Sequence, residues 1–142
     1  MSIDLTTAQS IVTEALTAGS EQGFKPLTVV VLDVGGHLVA AARQDGASNN
    51  RFEIAHGKAY GALALGMGSR ALMQRAEDQA YFIAAATAAL GGRLIPVPGG
   101  VLIRDENDKL QGAVGVSGDS SDNDETAASK AIHGVGLRAQ IA

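Results

Sequence analysis

Three short stretches hold most of the side chains and backbone groups here that could do chemistry. The first is Arg43-Gln44-Asp45-Gly46. An arginine guanidinium presents a planar fork of donors that matches a carboxylate or a phosphate. Arg43 stands at an expected strand end before a loop, where binding groups are commonly held. The competing structural role is a local Arg43–Asp45 pair that shapes the turn. The second stretch is His56-Gly57-Lys58, on an expected helix. Histidine changes charge near neutral pH, so His56 suits iron ligation or proton transfer. Lys58 could neutralise an anionic ligand. Two apart on a helix, these side chains point to different faces and do not act on one atom. Their structural alternatives are a solvated helix position for His56 and an ion pair to an acidic loop for Lys58. The third stretch, Gly99-Gly100, could offer backbone N–H groups to an anion or merely turn the chain through positive φ.

Other groups point to less. Asp119, Asp122, Asp124 and Glu125 lie within seven residues. A hard cation such as Ca²⁺ would suit such acids, but they lack the spacing of an EF-hand, and capping of a following helix with a favourable dipole interaction accounts for Asp122, Asp124 and Glu125. His37 and His133 stand alone, and no paired-histidine spacing supports a metal site, so none is expected. Ser117 lies in Val-Ser-Gly, outside a nucleophile-elbow pattern. With no cysteine in the chain, disulfides, thiolate metal sites and cysteine nucleophiles are excluded. No phosphate-binding glycine motif precedes a helix. Net charge is −4 and the basic residues are scattered, so nucleic acid is not an expected partner.

The elements that must position these groups follow from periodicity. A helix is expected to begin near Thr6, with Gln9 at capping-box spacing, and to end at Gly19 to Gly23. Leu27–Leu32 and His37–Ala42 read as strands joined by a tight turn at Asp33-Val34-Gly35-Gly36. A helix is expected from Asn50 to Gly66, and another from Arg70 to Leu90, with Ser69 as its cap. The spacing then predicts strands at 93–97, 101–104 and 110–117, and a last helix from Asp122 to about Arg138. Glycine in the 110–117 strand marks a close approach of another backbone or a ligand. Consecutive strands joined by tight turns imply an α/β (α+β) fold with a five-stranded antiparallel sheet flanked by helices. With 142 residues and no linker or repeat, one domain over 1–142 is expected. The longest nearly apolar run, Ala80–Leu90, is shorter than the about 20 residues that a bilayer requires. Residues 1–20 show no basic region followed by an apolar one, so no membrane partner and a cytoplasmic location are expected.

Three segments together resemble a known family. They are Val29 to Val39 with Arg43-Gln44-Asp45-Gly46-Ala47, then Ile54-Ala55-His56-Gly57-Lys58-Ala59, then Gly99-Gly100-Val101 with Gly112 to Gly118. In this order they are similar to the haem-binding-protein-like family of the GlcG, HbpS and PduO C-terminal-domain type, over nearly the whole chain. The resemblance implies a profilin-like fold, homo-oligomers, and haem as a cofactor in some members. Two departures stand out. Leu102 occupies the place of a family proline, and the first helix lacks a histidine that is a haem-ligating candidate in the family.

Three functions are compatible with these residues. In the first, a homo-oligomer binds a small anionic ligand, haem or another tetrapyrrole, through Arg43, Asp45, His56, Lys58, Gly99 and Gly100. In the second, an enzyme acts on a small organic acid, with Arg43 anchoring the carboxylate and His56 or Asp45 moving a proton. The third is an assembly role without a ligand.

Overall fold

Ten elements account for the chain in a computed structural model that describes residues 2–142. They are α1 (Leu5–Gln22), β1 (Thr28–Asp33), β2 (Leu38–Arg43), α2 (Arg51–Leu65), α3 (Ser69–Asp78), α4 (Ala80–Ala89), β3 (Gly100–Arg104), β4 (Leu110–Ser117), α5 (Ser121–Gly134) and β5 (Arg138–Gln140). The strands form one sheet in the order β2-β1-β4-β3-β5, and every neighbouring pair is antiparallel. Among the described residues no helix is long and apolar enough to cross a membrane.

The unbroken run Val29-Val30-Val31-Leu32 is explained by burial on both faces, since successive side chains of a strand alternate. Val29 and Val31 pack with α1 and α5, alongside Ile11, Val116 and Ile132. Val30 and Leu32 face α2 and join Ala55, Ala59 and Leu102. The β1–β2 turn is closed by Asp33, whose Oδ1 accepts the Gly35 and His37 N–H groups, each at 2.9 Å.

The layer under α2 is thin because two glycines lie beneath it. Gly100 and Gly115 are register partners on β3 and β4. A Cβ on Gly115 would stand 1.9 Å from the Ala55 carbonyl oxygen, and one on Gly100 would stand 2.2 Å from that of Lys58. The close approach expected at the glycines of β4 is made at Gly115 by the backbone of α2 and at Gly112 by the Leu32 carbonyl of β1.

Several boundaries differ from the sequence-based expectation. Segment 93–97 is not a strand. Pro96 has no N–H to give a ladder, and Leu94 is buried against Gly61 of α2 instead. The fifth strand is β5, formed because α5 stops at Gly134 and Gly136 turns the chain at φ 81°. The expected helix 70–90 is two helices, broken at Gln79 with φ −141° and ψ 64°. The caps also shift. Asp4 rather than Thr6 caps α1, Gly68 rather than Ser69 precedes α3, and Ser120 rather than Asp122 caps α5. At α2, Asn50 holds the cap position without a side-chain hydrogen bond.

Replacing Gly115 by Ala puts a methyl where the Ala55 carbonyl stands. Urea unfolding of Gly115→Ala should show a loss of about 1–3 kcal/mol or more from overpacking. An unchanged midpoint would mean that α2 is not held this close.

Candidate functional site

α2 carries two different sets of groups on two flanks. Its inner flank is built around Lys58. The Lys58 ammonium donates to Asp124 Oδ2 and to the Val116 carbonyl, both at 2.9 Å. The two ionised side chains are only 2% and 1% exposed. Burial pushes the Lys58 ammonium below its ordinary value and the Asp124 carboxyl above its own, and their mutual contact opposes both shifts. The other Asp124 oxygen accepts the Asp119 N–H at 2.9 Å. Asp119 in turn accepts from Lys25 N, Ser120 N and Asn123 Nδ2. Those bonds, led by the one from Lys25, hold its pKa down to about 2.

Gly99 and Gly100 lie in this same buried cluster. At Gly99, with φ 123°, a Cβ would stand 2.8 Å from the Lys58 nitrogen. The Gly100 N–H is taken by Ser69 Oγ at 2.7 Å. Arg70 completes the acidic end by pairing with Glu125, at 3.0 Å from Oε2, and with Asp122. All four acids of segment 119–125 are thus engaged by the protein itself. Among the described residues no group of His, Asp and Glu has the arrangement to hold a metal ion.

The outer flank is aromatic. Phe52, His56 and Tyr60 recur every four residues and so stack along one side of the helix. Ring centroids are 5.8 Å apart for Phe52–His56 and 5.6 Å for His56–Tyr60, with interplanar angles of 31° and 22°. The Arg93 guanidinium lies 4.1 Å over the Tyr60 ring. Burial, and then the Arg93 charge, hold the His56 imidazole below its ordinary pKa, which favours the neutral ring.

Beside this stack the sheet is open. Register sets Leu38, Ala41 and Arg43 of β2 opposite Leu32, Val30 and Thr28 of β1, hence on the α2 side of the sheet. Leu38 is 55% exposed, and Ala41 and Arg43 are exposed as well. Leu38 and Ala41, with the half-buried His56 and Tyr60 on the same side of the sheet, form an apolar ledge that ends at Arg43. A cavity of about 100 Å³, lined by Gly35, Gly36, Tyr60 and Leu63, closes one end of it. Larger hollows, about 600 Å³ by Arg104 and Arg138 and about 440 Å³ between α1 and the β2 edge, contain none of the sequence-derived site residues.

The six candidate residues therefore fall into two groups. Lys58, Gly99 and Gly100 are together inside. Arg43 and His56 are on the open side, and Asp45 is exposed in the loop after β2. Arg43 donates to the Ala47 carbonyl at 2.8 Å and makes no ion pair with Asp45. His37 is exposed beside Asp33, at 3.4 Å, and His133 is exposed in the last turn of α5. Sequence reasoning missed Phe52, Tyr60, Arg93 and Arg51. The four-residue spacing of the aromatic groups was a usable signal, whereas nothing local ties Arg93 to Tyr60. Arg51 donates to Ser117 Oγ at 3.1 Å.

Residues 3–133 match the family model described as haem degrading protein HbpS-like. No curated protein is similar to the chain in sequence. Among solved structures, it is similar to a PduOC–heme complex at 21% identity, with 96% of this chain and 97% of that chain covered and a TM-score of 0.85. It is also similar to protein ORFY of Klebsiella pneumoniae, of the DUF336 family, at 25% identity, with 94% and 90% covered and a TM-score of 0.84. A double mutant of Streptomyces reticuli HbpS is 22% identical, with 94% and 86% covered and a TM-score of 0.78.

Removing one partner of the buried pair leaves the other uncompensated. Lys58→Met should cost about 3–5 kcal/mol in chemical denaturation, and the double replacement Lys58→Met with Asp124→Leu should recover most of it. Equal losses in the single and double variants would contradict that account.

Proposed function

The chain belongs to the HbpS-like family of haem degrading proteins, and from that premise we propose that it binds haem, or another flat anionic tetrapyrrole, on the ledge between β2 and the aromatic flank of α2. The observation that carries this is the His56 imidazole, stacked between Phe52 and Tyr60 beside an open apolar surface. The donor set fits the group. A neutral imidazole ligates iron, two rings and the Leu38–Ala41 surface suit a porphyrin face, and Arg43 and Arg93 suit its carboxylates. When bound, haem would supply redox chemistry at its iron. Asp45 lies in the loop that borders the ledge. Lys58, Gly99 and Gly100 act as positioning residues, since they hold α2 at its height above the sheet. The solved haem complex among the structural neighbours supports the reading.

The neutral state of His56 also favours a second reading, in which it serves as the base of an enzyme acting on a small organic acid anchored by Arg43. Haemin titration separates the two. A saturable, stoichiometric Soret shift that is lost in His56→Ala is the expected result. No saturable shift in the wild-type protein would overturn the haem reading and favour the acid–base one.

Self-association is part of the same proposal. α4 carries no charged residue, buries only Ile83, and leaves Tyr81 75% exposed. A helix that apolar is ordinarily covered, and a second copy of the chain is the occupant proposed. Sedimentation velocity should show an oligomer that Tyr81→Glu shifts toward monomer. A wild-type protein that stays monomeric across the accessible concentrations would refute it.

A further inference from the structure

Beyond the ledge lies a row of polar groups that neither the fold nor the family match explains. Arg43, Thr28 and Ser117 are successive partners across β2, β1 and β4. Cross-strand partners share a face, so all three side chains lie on the α2 side. Thr28 is 1% exposed, and its hydroxyl has no hydrogen-bond partner among the described residues. Such a group is costly to leave unmet. Arg51 reaches down from the first turn of α2 to Ser117 Oγ at 3.1 Å. Neither Arg51 nor Arg43 has a carboxylate within ion-pair distance among the described residues.

The neighbouring acids are committed elsewhere. Asp124 feels the Arg51 charge, yet its two oxygens are occupied by Lys58 and the Asp119 N–H. Asp119 is filled by backbone and Asn123 donors. Asp45 makes no ion pair. What remains is two guanidinium groups without a counter-charge among the described residues, each giving one N–H to the chain, at the Ala47 carbonyl and at Ser117 Oγ. Arg43 and Ser117 are the strand partners, on either side, of the buried Thr28 hydroxyl that has none. An anionic acceptor complements these groups, and a carboxylate is the small group that matches the planar fork.

We propose that Thr28, Ser117, Arg51 and Arg43 form a carboxylate-binding subsite at the end of the sheet under the α2 N-terminus. One carboxylate oxygen accepts from the Thr28 hydroxyl, and the pair of oxygens bridges the guanidinium groups. The carboxylate belongs either to a side arm of a ligand on the neighbouring ledge or to a free small acid. Only the first source rests on the haem reading.

The test uses thermal unfolding of the full chain with sodium succinate, against sodium chloride at matched ionic strength, and haemin titration against haemin dimethyl ester. Succinate should raise the Tm of the wild-type protein saturably. Arg51→Gln should weaken the effective binding about tenfold or more, as expected for a lost charge-assisted hydrogen bond. Thr28→Val separates binding from folding. It should keep or raise the ligand-free Tm, because the unmet hydroxyl is gone, while losing the response to succinate. If Arg51→Gln weakens haemin but not the ester, the carboxylate is the tetrapyrrole's own. A succinate response without any Soret shift assigns the site to a free acid and removes the haem reading alone. Haemin binding that is indifferent to both substitutions, with no succinate response, overturns the subsite and leaves the haem reading standing.

Discussion

A lysine ammonium taken out of water must meet an anion and fill its hydrogen bonds, and Lys58 does both 66 residues away in sequence, at Asp124. Much of the local structure follows from that demand. Asp124 can meet it only if α5 starts where it does, with Asp119 and Ser120 holding the loop between β4 and α5. Lys58 reaches the Val116 carbonyl only because α2 rests directly on Gly100 and Gly115. The ion pair is weak evidence for stability in itself, since desolvation offsets much of its attraction. Its effect is geometric: it ties α2, the end of β4 and the start of α5 into one unit.

That anchoring leaves the other flank of α2 free to carry chemistry. The helix has its backbone against β3 and β4, and it does not reach over β2. The Phe52–His56–Tyr60 stack therefore stands at the border of an uncovered strand. The separation is angular. Side chains at 55, 58, 59 and 62 point into the sheet, while 52, 56 and 60 lie on an adjacent stripe. A short motif with histidine and lysine two residues apart thus faces two different environments on one turn of helix.

The parts of this arrangement that were legible in the sequence are those with local causes. The Val29–Leu32 run, the Asp33–Gly36 turn and the Gly66 helix end all declare themselves by residue type. Residues 93–97 looked like a strand because Leu, Ile and Val dominate, but Pro96 and the shelter of Leu94 under α2 decide otherwise. β5 was hidden because Arg138-Ala139-Gln140 has no strand signature, and only the free edge of β3 makes it one. The site behaved alike. Arg43 and His56 were visible by their chemistry. The burial of Lys58 and the stacking of Arg93 on Tyr60 are tertiary facts that no window of sequence contains.

The aromatic flank of α2 is the proposed ligand face and the Lys58 flank its anchor, and one border separates the two. Amide chemical-shift mapping of the labelled protein with zinc protoporphyrin, a diamagnetic analogue of haem, tests this division most directly. Changes are expected at Leu38, Phe52, His56 and Tyr60, with Lys58, Gly99, Gly100 and Asp124 unmoved. Changes centred on that buried cluster, or on the groove between α1 and the edge of β2, would contradict it.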